Sequence, residues 1–394
     1  WGLLPDLLLS NGYKINWVHL FLSTKEVPNS KKAISLLDIF NNEKNNSHQV
    51  LDSYIDLKII LRTLVLYFKV ILKSFNSKKH FNVTIDNSKK LSLYNTLKSD
   101  YYESIYGSYG IQNAIKFLLF EKLFERHLFT DKILYLYENQ NWENLLIYFN
   151  NKINKIEKTI AYQHATVPFW HLYYFTSLKT LNDRTSLAMP LPDFIALNSK
   201  KNLDTFTEQG YDPIKLVEVE ALRYIKEENL NFKIKKKSDK IISVLIVGEY
   251  SKTSMNSFSS VLKNAFECLD LNNYEIFYKP HPAFNFDLNI NININLINEN
   301  LNDILSNFDL MICTNSTSAC VDALINNTKV IIYRDKNSLN LSPLLNNSSK
   351  NLFFSNENEL EILLNNYKNG KYIVKNPFNI DNKLTKWKKL LNIN

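Results

Sequence analysis

The second half of the chain alternates short apolar runs with helix-length segments, and that alternation leaves few folds open. Apolar, β-prone runs at 241–247, 274–278, 310–313, 329–333 and 351–354 are separated by helical spacing at 255–269, 301–307, 318–325 and 357–367. Strands that alternate with helices form a parallel sheet covered on both faces. The first half carries the same rhythm, with strands expected at 132–137, 159–162, 193–197 and 215–219 and helices at 144–153 and 200–209, the second stopped by Gly210. In open parallel sheets, ligands bind beyond the carboxyl ends of the strands. The residues that follow each apolar run are therefore where chemistry is sought.

A chain of 394 residues is long enough for two domains, each burying its own core. The polar, charged stretch 227–240 reads as the linker between a first domain at 1–226 and a second at 241–394. The first residues read as a helix closed by Asn11-Gly12, followed by a strand over 13–22. A helix then a strand at the very start, with no initiator Met, leads us to expect a first strand upstream of Trp1. Helical spacing over 31–79 and 91–126, broken by a turn at 105–110, marks a helical insertion across about 31–126. Its apolar segment 59–75 is interrupted by Arg62, Lys69 and Lys73, too polar for a membrane span. A buried helix and an interfacial helix both fit it. The tract Asn289-Ile290-Asn291-Ile292-Asn293-Ile294-Asn295 alternates with period two and reads as a half-buried strand.

The net charge is +8, yet lysines are spread along the chain and only Lys233-Ile234-Lys235-Lys236-Lys237 forms a tight run. A dedicated nucleic-acid binder concentrates its basic charge, so no nucleic-acid partner is expected. What the charge leaves open is weak attraction to anionic lipid or to a phosphorylated acceptor. The three cysteines, at 268, 313 and 320, are odd in number and two lie in apolar runs, as expected of reduced thiols in a cytosolic protein. No Cys/His pattern has zinc spacing, so no metal site is expected.

Two strand ends in the second half stand out. Lys279-Pro280-His281-Pro282 sets a cation and an imidazole in a loop stiffened by two prolines. One βα unit later, Thr314-Asn315-Ser316-Thr317-Ser318 sets four hydroxyls before a helix, more than a single cap requires. Together they suit a phosphate, with Lys279 as a point charge and His281 as a ring donor. Gly248-Glu249 follows the first strand of this half; a ligand contact and a plain strand-to-helix turn both fit it. In the first half, Glu138, Gln140, Trp142 and Glu143 follow one strand, and Gln163 and His164 end the next. Glu138 is a candidate base, and Glu143 a second carboxylate or a first-turn helix residue. His164 reads as a base, an orienting partner of Glu138, or a structural histidine. Gln140, Trp142 and Gln163 complete the acceptor-side set.

Taken together, these residues resemble a GT-B glycosyltransferase. The Lys279-Pro280-His281-Pro282 and Ser316-Thr317-Ser318 pair resembles the HP and Ser/Thr motifs of bacterial transferases that use CMP-activated sugars of the sialyl and Kdo type. The first-half loops resemble a bacterial family of surface-carbohydrate (O-antigen and capsule) biosynthesis proteins, and the likeness covers about 130–355. The resemblance implies two Rossmann-like domains facing a cleft, with 1–226 on the acceptor side and 241–394 on the donor side. It implies that His281 and the hydroxyls bind the donor phosphate, and that Glu138 or His164 deprotonates the acceptor. The nucleotide sugar would be substrate rather than cofactor, and no metal would take part. The acceptor would be a glycan or lipid-linked glycan, at a cytoplasmic site with peripheral contact to the inner membrane. The acidic motif that carries the base in sialyltransferases is not present as such. A polyol-phosphate transferase using a CDP donor shares the same pattern; a non-catalytic scaffold in polysaccharide assembly would be marked by loss of Glu138, His164 or His281, and all three are present.

Overall fold

The computed structural model describes residues 1–41, 45–77, 84–86, 91–92, 94–126, 131–153, 158–167, 170, 172–183, 185, 188–225, 241–344, 352–370 and 376–393. In the second half, β9 (Ile242–Val247), β10 (Tyr274–Lys279), β11 (Asn295–Leu296), β12 (Leu310–Thr314), β13 (Lys329–Tyr333) and β14 (Phe353–Phe354) form a six-stranded sheet. Its order is β11-β10-β9-β12-β13-β14, and every pairing is parallel. In the first half, β5 (Lys132–Leu136), β6 (Lys158–Gln163), β7 (Phe194–Leu197) and β8 (Leu216–Glu218) pair in parallel in that order. Two smaller pairs precede them: β1 (Ile15–His19) with β2 (Asn46–Val50), parallel, and β3 (Thr84–Asp86) with β4 (Leu91–Ser92), antiparallel. This is the α/β architecture with two parallel sheets that the alternation predicts.

The strands are buried on both faces because successive side chains point to opposite sides. From β9, Leu245 and Val247 join one apolar cluster with Met311, Cys313, Val330 and Ile332. Val244 and Ile246 join another, with Leu310, Ile312 and Ile331. The first sheet divides likewise. Tyr135, Ala161 and Ile195 face the helices Ser108–Arg126 and Asn141–Ile153, while Ile160, Tyr162 and Ala196 face the two chain ends. Side-chain caps start the crossover helices: Ser199 accepts from Asn202 N, Ser251 from Ser254 N and Asn356 from Glu359 N.

Two expectations need correction. The helical reading of 31–79 breaks at β2, which separates the helices Ser30–Phe40 and Leu57–Ser77. Its sequence, Asn46-Ser47-His48-Gln49-Val50, has little apolar content, and it is a strand because it pairs residue for residue with β1. The Asn/Ile tract is not a strand apart from its end at β11. Ile290, Ile292 and Ile294 still turn toward the core, so packing satisfies the alternation without a backbone ladder, and Asn289 takes a positive φ of 47°. The expected linker at 227–240 lies outside the described residues. The opening helix does end as read, with Asn11 as C-cap and Gly12 at φ 80°.

A final helix, Thr385–Leu391, was not anticipated. It returns to the first half and packs Trp387, fully buried, edge-on against Tyr162 with ring centroids 5.0 Å apart. Buried Glu220, just beyond β8, accepts from Lys386 N at 2.7 Å and Trp387 N at 3.0 Å. One carboxyl thus satisfies two amides at the start of that helix. Trp387→Ala should cost about 3–5 kcal/mol, read as a lower urea midpoint with an unchanged denaturant slope.

Candidate functional site

The parallel register lines up the strand ends. Lys279 of β10 lies opposite Val247 of β9, and Val247 lies opposite Cys313 of β12. The segments that leave these strands therefore start at one level, about 5 Å apart from strand to strand. Gly248 N donates to Lys279 O at 2.9 Å. A Cβ at Gly248 would stand 3.0 Å from Tyr278 Oη and 3.2 Å from His281 N, so glycine lets the Pro280-His281 backbone lie this close without displacement. His281 is held in a tight turn: Phe284 N donates to its carbonyl at 2.9 Å and Ala283 N to its Nδ1 at 3.1 Å. An Nδ1 that accepts leaves Nε2–H as the donor. The Tyr250 ring stands edge-on to the imidazole, centroids 6.0 Å apart.

Glu249 organises the hydroxyl segment. Its carboxyl is buried and accepts from both Thr314 Oγ1 and Ser316 Oγ. A hydroxyl has one proton, and these two give theirs to Glu249, so they brace the loop rather than donate outward. Asn315 is buried too and donates to Leu339 O at 3.2 Å. Thr317 Oγ1 accepts from Ala319 N at 3.2 Å and keeps its own proton, and Ser318 makes no side-chain cap bond. Lys279, His281, Thr317 and Ser318 are thus the groups with a proton to offer. The helix Ala319–Ile325 is only seven residues long and adds little field of its own.

In the first half, Tyr137 N donates to Tyr162 O at 2.8 Å and carries the ladder one residue past β5, up to Glu138. Asn139, with φ 57°, turns the chain there. Buried Glu143, in the first turn of the helix Asn141–Ile153, accepts from Glu138 N at 2.9 Å and Gln140 N at 2.8 Å through one oxygen. Burial outweighs these two bonds and pushes its carboxyl up to about 7. Of the two carboxylates, Glu143 is the structural one. Glu138 is open to solvent, and its Oε1 stands 3.4 Å from His164 Nε2. Burial lowers the His164 imidazole below its ordinary range, with Glu138 opposing the shift. His164 Nδ1 is buried without a hydrogen-bond partner, so Nε2, facing Glu138, is the ring nitrogen that meets a polar group.

Gln163 is fully buried. It accepts from Asn202 Nδ2 at 2.9 Å and donates to Ala165 O. Asn198 Nδ2 donates to His164 O at 3.2 Å and Ala165 O at 3.0 Å. Gln163 therefore holds the His164 loop from beneath, where the sequence reading set it against an acceptor. Trp142 packs into the core, edge-on to Tyr135 with centroids 5.9 Å apart, and Gln140 stays exposed. Asn198 and Asn202 were missed by the sequence reading; the visible signal was an amide at a strand end just before the Ser199 cap. Phe169 and His171, which follow this loop, lie outside the described residues.

The loops beyond β7 and β13 touch. Lys201 Nζ donates to Pro343 O at 3.1 Å, and in the segment before the final helix Asn379 N donates to Asn198 O at 3.5 Å. Both clusters thus follow carboxyl ends of parallel strands, on the side where the halves meet. A cavity of about 540 Å³ is lined by Tyr278, Asp287 and the Asn/Ile tract. Among the described residues, no three His, Cys, Asp or Glu side chains are placed to hold a metal ion. The three cysteines are free, Cys313 and Cys320 buried and Cys268 exposed.

No family model matches the sequence, and no curated protein matches it. Among solved structures, the chain is similar to a UDP-GlcNAc 2-epimerase from Neisseria meningitidis bound to UDP-GlcNAc, at 10% identity and a TM-score of 0.47, covering 96% of this chain and 100% of that one. It is similar to Staphylococcus aureus MnaA solved with UDP, at 11% identity and a TM-score of 0.44, covering 97% and 98%. It is also similar to Arabidopsis thaliana UGT89C1 complexed with UDP-L-rhamnose, at 11% identity and a TM-score of 0.46, covering 93% and 85%.

Glu143 makes stability depend on pH. Its carboxyl titrates near 4.5 when free of the fold and at about 7 within it. Between those values the folded chain keeps a proton that the unfolded chain has released, so stability falls as pH rises through the window. Glu143→Gln should flatten that slope, as read from urea midpoints across it. Gly248→Ala should cost about 1–3 kcal/mol by driving the Pro280-His281 backbone off β9, seen as a lower thermal midpoint.

Proposed function

We propose that this chain is a GT-B glycosyltransferase that moves a sugar from a nucleotide donor to a glycan or lipid-linked acceptor. The observation that carries the reading is a pair of strand-end clusters on two parallel sheets. One holds a cation, an imidazole and hydroxyls at the ends of β10 and β12. The other holds a carboxyl beside an imidazole at the ends of β5 and β6. In this proposal 241–394 is the donor domain and 1–226 the acceptor domain.

Transfer breaks the bond between the sugar and the donor phosphate, and charge gathers on the leaving phosphate oxygens. Lys279, His281 Nε2–H and the Thr317 and Ser318 hydroxyls meet that charge with protons already oriented. The stiff Pro280-Pro282 loop and the Glu249 brace hold these groups in place, so little reorganisation is needed. On the other side the acceptor hydroxyl loses its proton as its oxygen attacks the sugar. Glu138 takes that proton, because its carboxyl is exposed and neighbours a histidine whose affinity for a proton is lowered by burial. His164 acts through Nε2, orienting Glu138.

The Lys-Pro-His-Pro and hydroxyl pattern favours CMP as the nucleotide, with a nonulosonic acid or Kdo as the sugar. Thermal shifts measured with CMP, CDP, UDP and GDP separately test the donor site: CMP should stabilise most, and stabilisation by none overturns the reading. His281→Ala should lower kcat about 10²–10³-fold, and Glu138→Gln about 10²–10⁴-fold. Unchanged turnover in either variant removes that residue from the mechanism. A product that gains a polyol phosphate in mass, or nucleotide binding without turnover, counts against sugar transfer.

A further inference from the structure

The helix Leu57–Ser77 leaves a continuous apolar arc facing solvent. Its 21 residues contain no Asp or Glu. Toward the protein it presents Ile59 and Leu66 together with Thr63, Tyr67 and Ser74. Thr63 donates to Ile59 O at 2.8 Å and Tyr67 to Tyr106 O at 2.6 Å, so polar groups on this side are bonded inside the protein. Toward solvent it presents Ile60, Leu61, Leu64, Val65, Phe68 and Leu72, with Leu72 67% and Phe68 59% exposed. At 3.6 residues per turn these fall within one arc of about 140°, unbroken by any polar side chain. Lys58, Arg62, Lys69 and Lys73 fill the next strip of the same surface. Arg62 pairs with Glu121 at 2.7 Å, and the three lysines stay exposed.

We propose that this face docks on an anionic lipid bilayer, lying in the interface rather than crossing it. Among the described residues no helix is long and apolar enough to cross a membrane. An apolar arc flanked by lysines suits a bilayer surface: the arc sinks among the acyl chains while the lysines reach phosphates at headgroup level. Charge selects the occupant. A second copy of this face would offer the cationic strip no acid from its own helix, because the helix has none. Anionic headgroups offer a counter-charge to every lysine. The proposal stands on this helix alone and is independent of the reading of the strand-end clusters.

The test is co-sedimentation of the full chain with vesicles of phosphatidylcholine alone, and of equimolar phosphatidylcholine and phosphatidylglycerol. The protein should pellet with the anionic vesicles, and added salt should release it. Lys69→Gln and Lys73→Gln should each weaken binding about fivefold. Phe68→Glu and Leu72→Glu should each weaken it more than about tenfold. The side chains are exposed, so all four variants should keep the parent's thermal midpoint, which separates lost docking from lost folding. Wild-type protein left in the supernatant with anionic vesicles overturns the proposal, as does Phe68→Glu pelleting like the wild type. A dimer in sedimentation equilibrium that Phe68→Glu dissolves, with no vesicle binding, assigns the face to a second copy instead.

Discussion

The parallel hydrogen-bond register of the second sheet is the constraint on which the site depends. Because Lys279, Val247 and Cys313 stand opposite one another, three loops leave the sheet at one height. A shift of one residue in any of these strands would turn its side chains to the opposite face. Cys313 and Met311 would leave one cluster for the other, and the Thr314–Ser318 segment would start from the wrong side. Burial on both faces makes such a shift costly, and so the core fixes the geometry of the loops.

Three buried glutamates then convert that geometry into rigidity. Glu249 gathers two hydroxyls of the Thr314–Ser318 loop, Glu143 caps the turn that carries Glu138, and Glu220 receives the first amides of the final helix. Each accepts two hydrogen bonds at one end of a loop or helix. The arrangement has a functional consequence. Carboxyls committed to the backbone and to hydroxyls leave Glu138 as the open carboxylate of its cluster, and His281, Lys279, Thr317 and Ser318 as the open donors of theirs.

Much of the fold was legible in the sequence where apolar periodicity was strong. Most strands of both sheets and the stop at Gly210 follow from local patterns. The weak places were those where a partner decides. Nothing in Asn46-Ser47-His48-Gln49-Val50 announces a strand; pairing with β1 makes it one. The Asn/Ile tract announces a strand and does not become one along most of its length, because its isoleucines find the core without a ladder. At the site, the Lys279–Pro282 and Thr314–Ser318 stretches could be picked out by residue type. The division of labour within them could not, since it depends on which hydroxyl reaches Glu249. The roles of Asn198, Asn202 and Gln163 were hidden for the same reason.

By itself, the sequence determined the class of fold and the positions at which chemistry could sit, because both rest on periodicity and on residues that end strands. Only the tertiary structure decided which polar groups are consumed internally and which remain to meet a ligand. The physical reason is that a donor or acceptor is spent by whichever partner the fold brings within hydrogen-bonding distance, and here those partners lie far away in the chain. Thr314 and Glu249 are 65 residues apart, and Trp387 and Glu220 are 167 apart. The outward apolar face of Leu57–Ser77 belongs to the same lesson. Its pattern was plain in the sequence, and packing alone showed that the apolar side is the one left open.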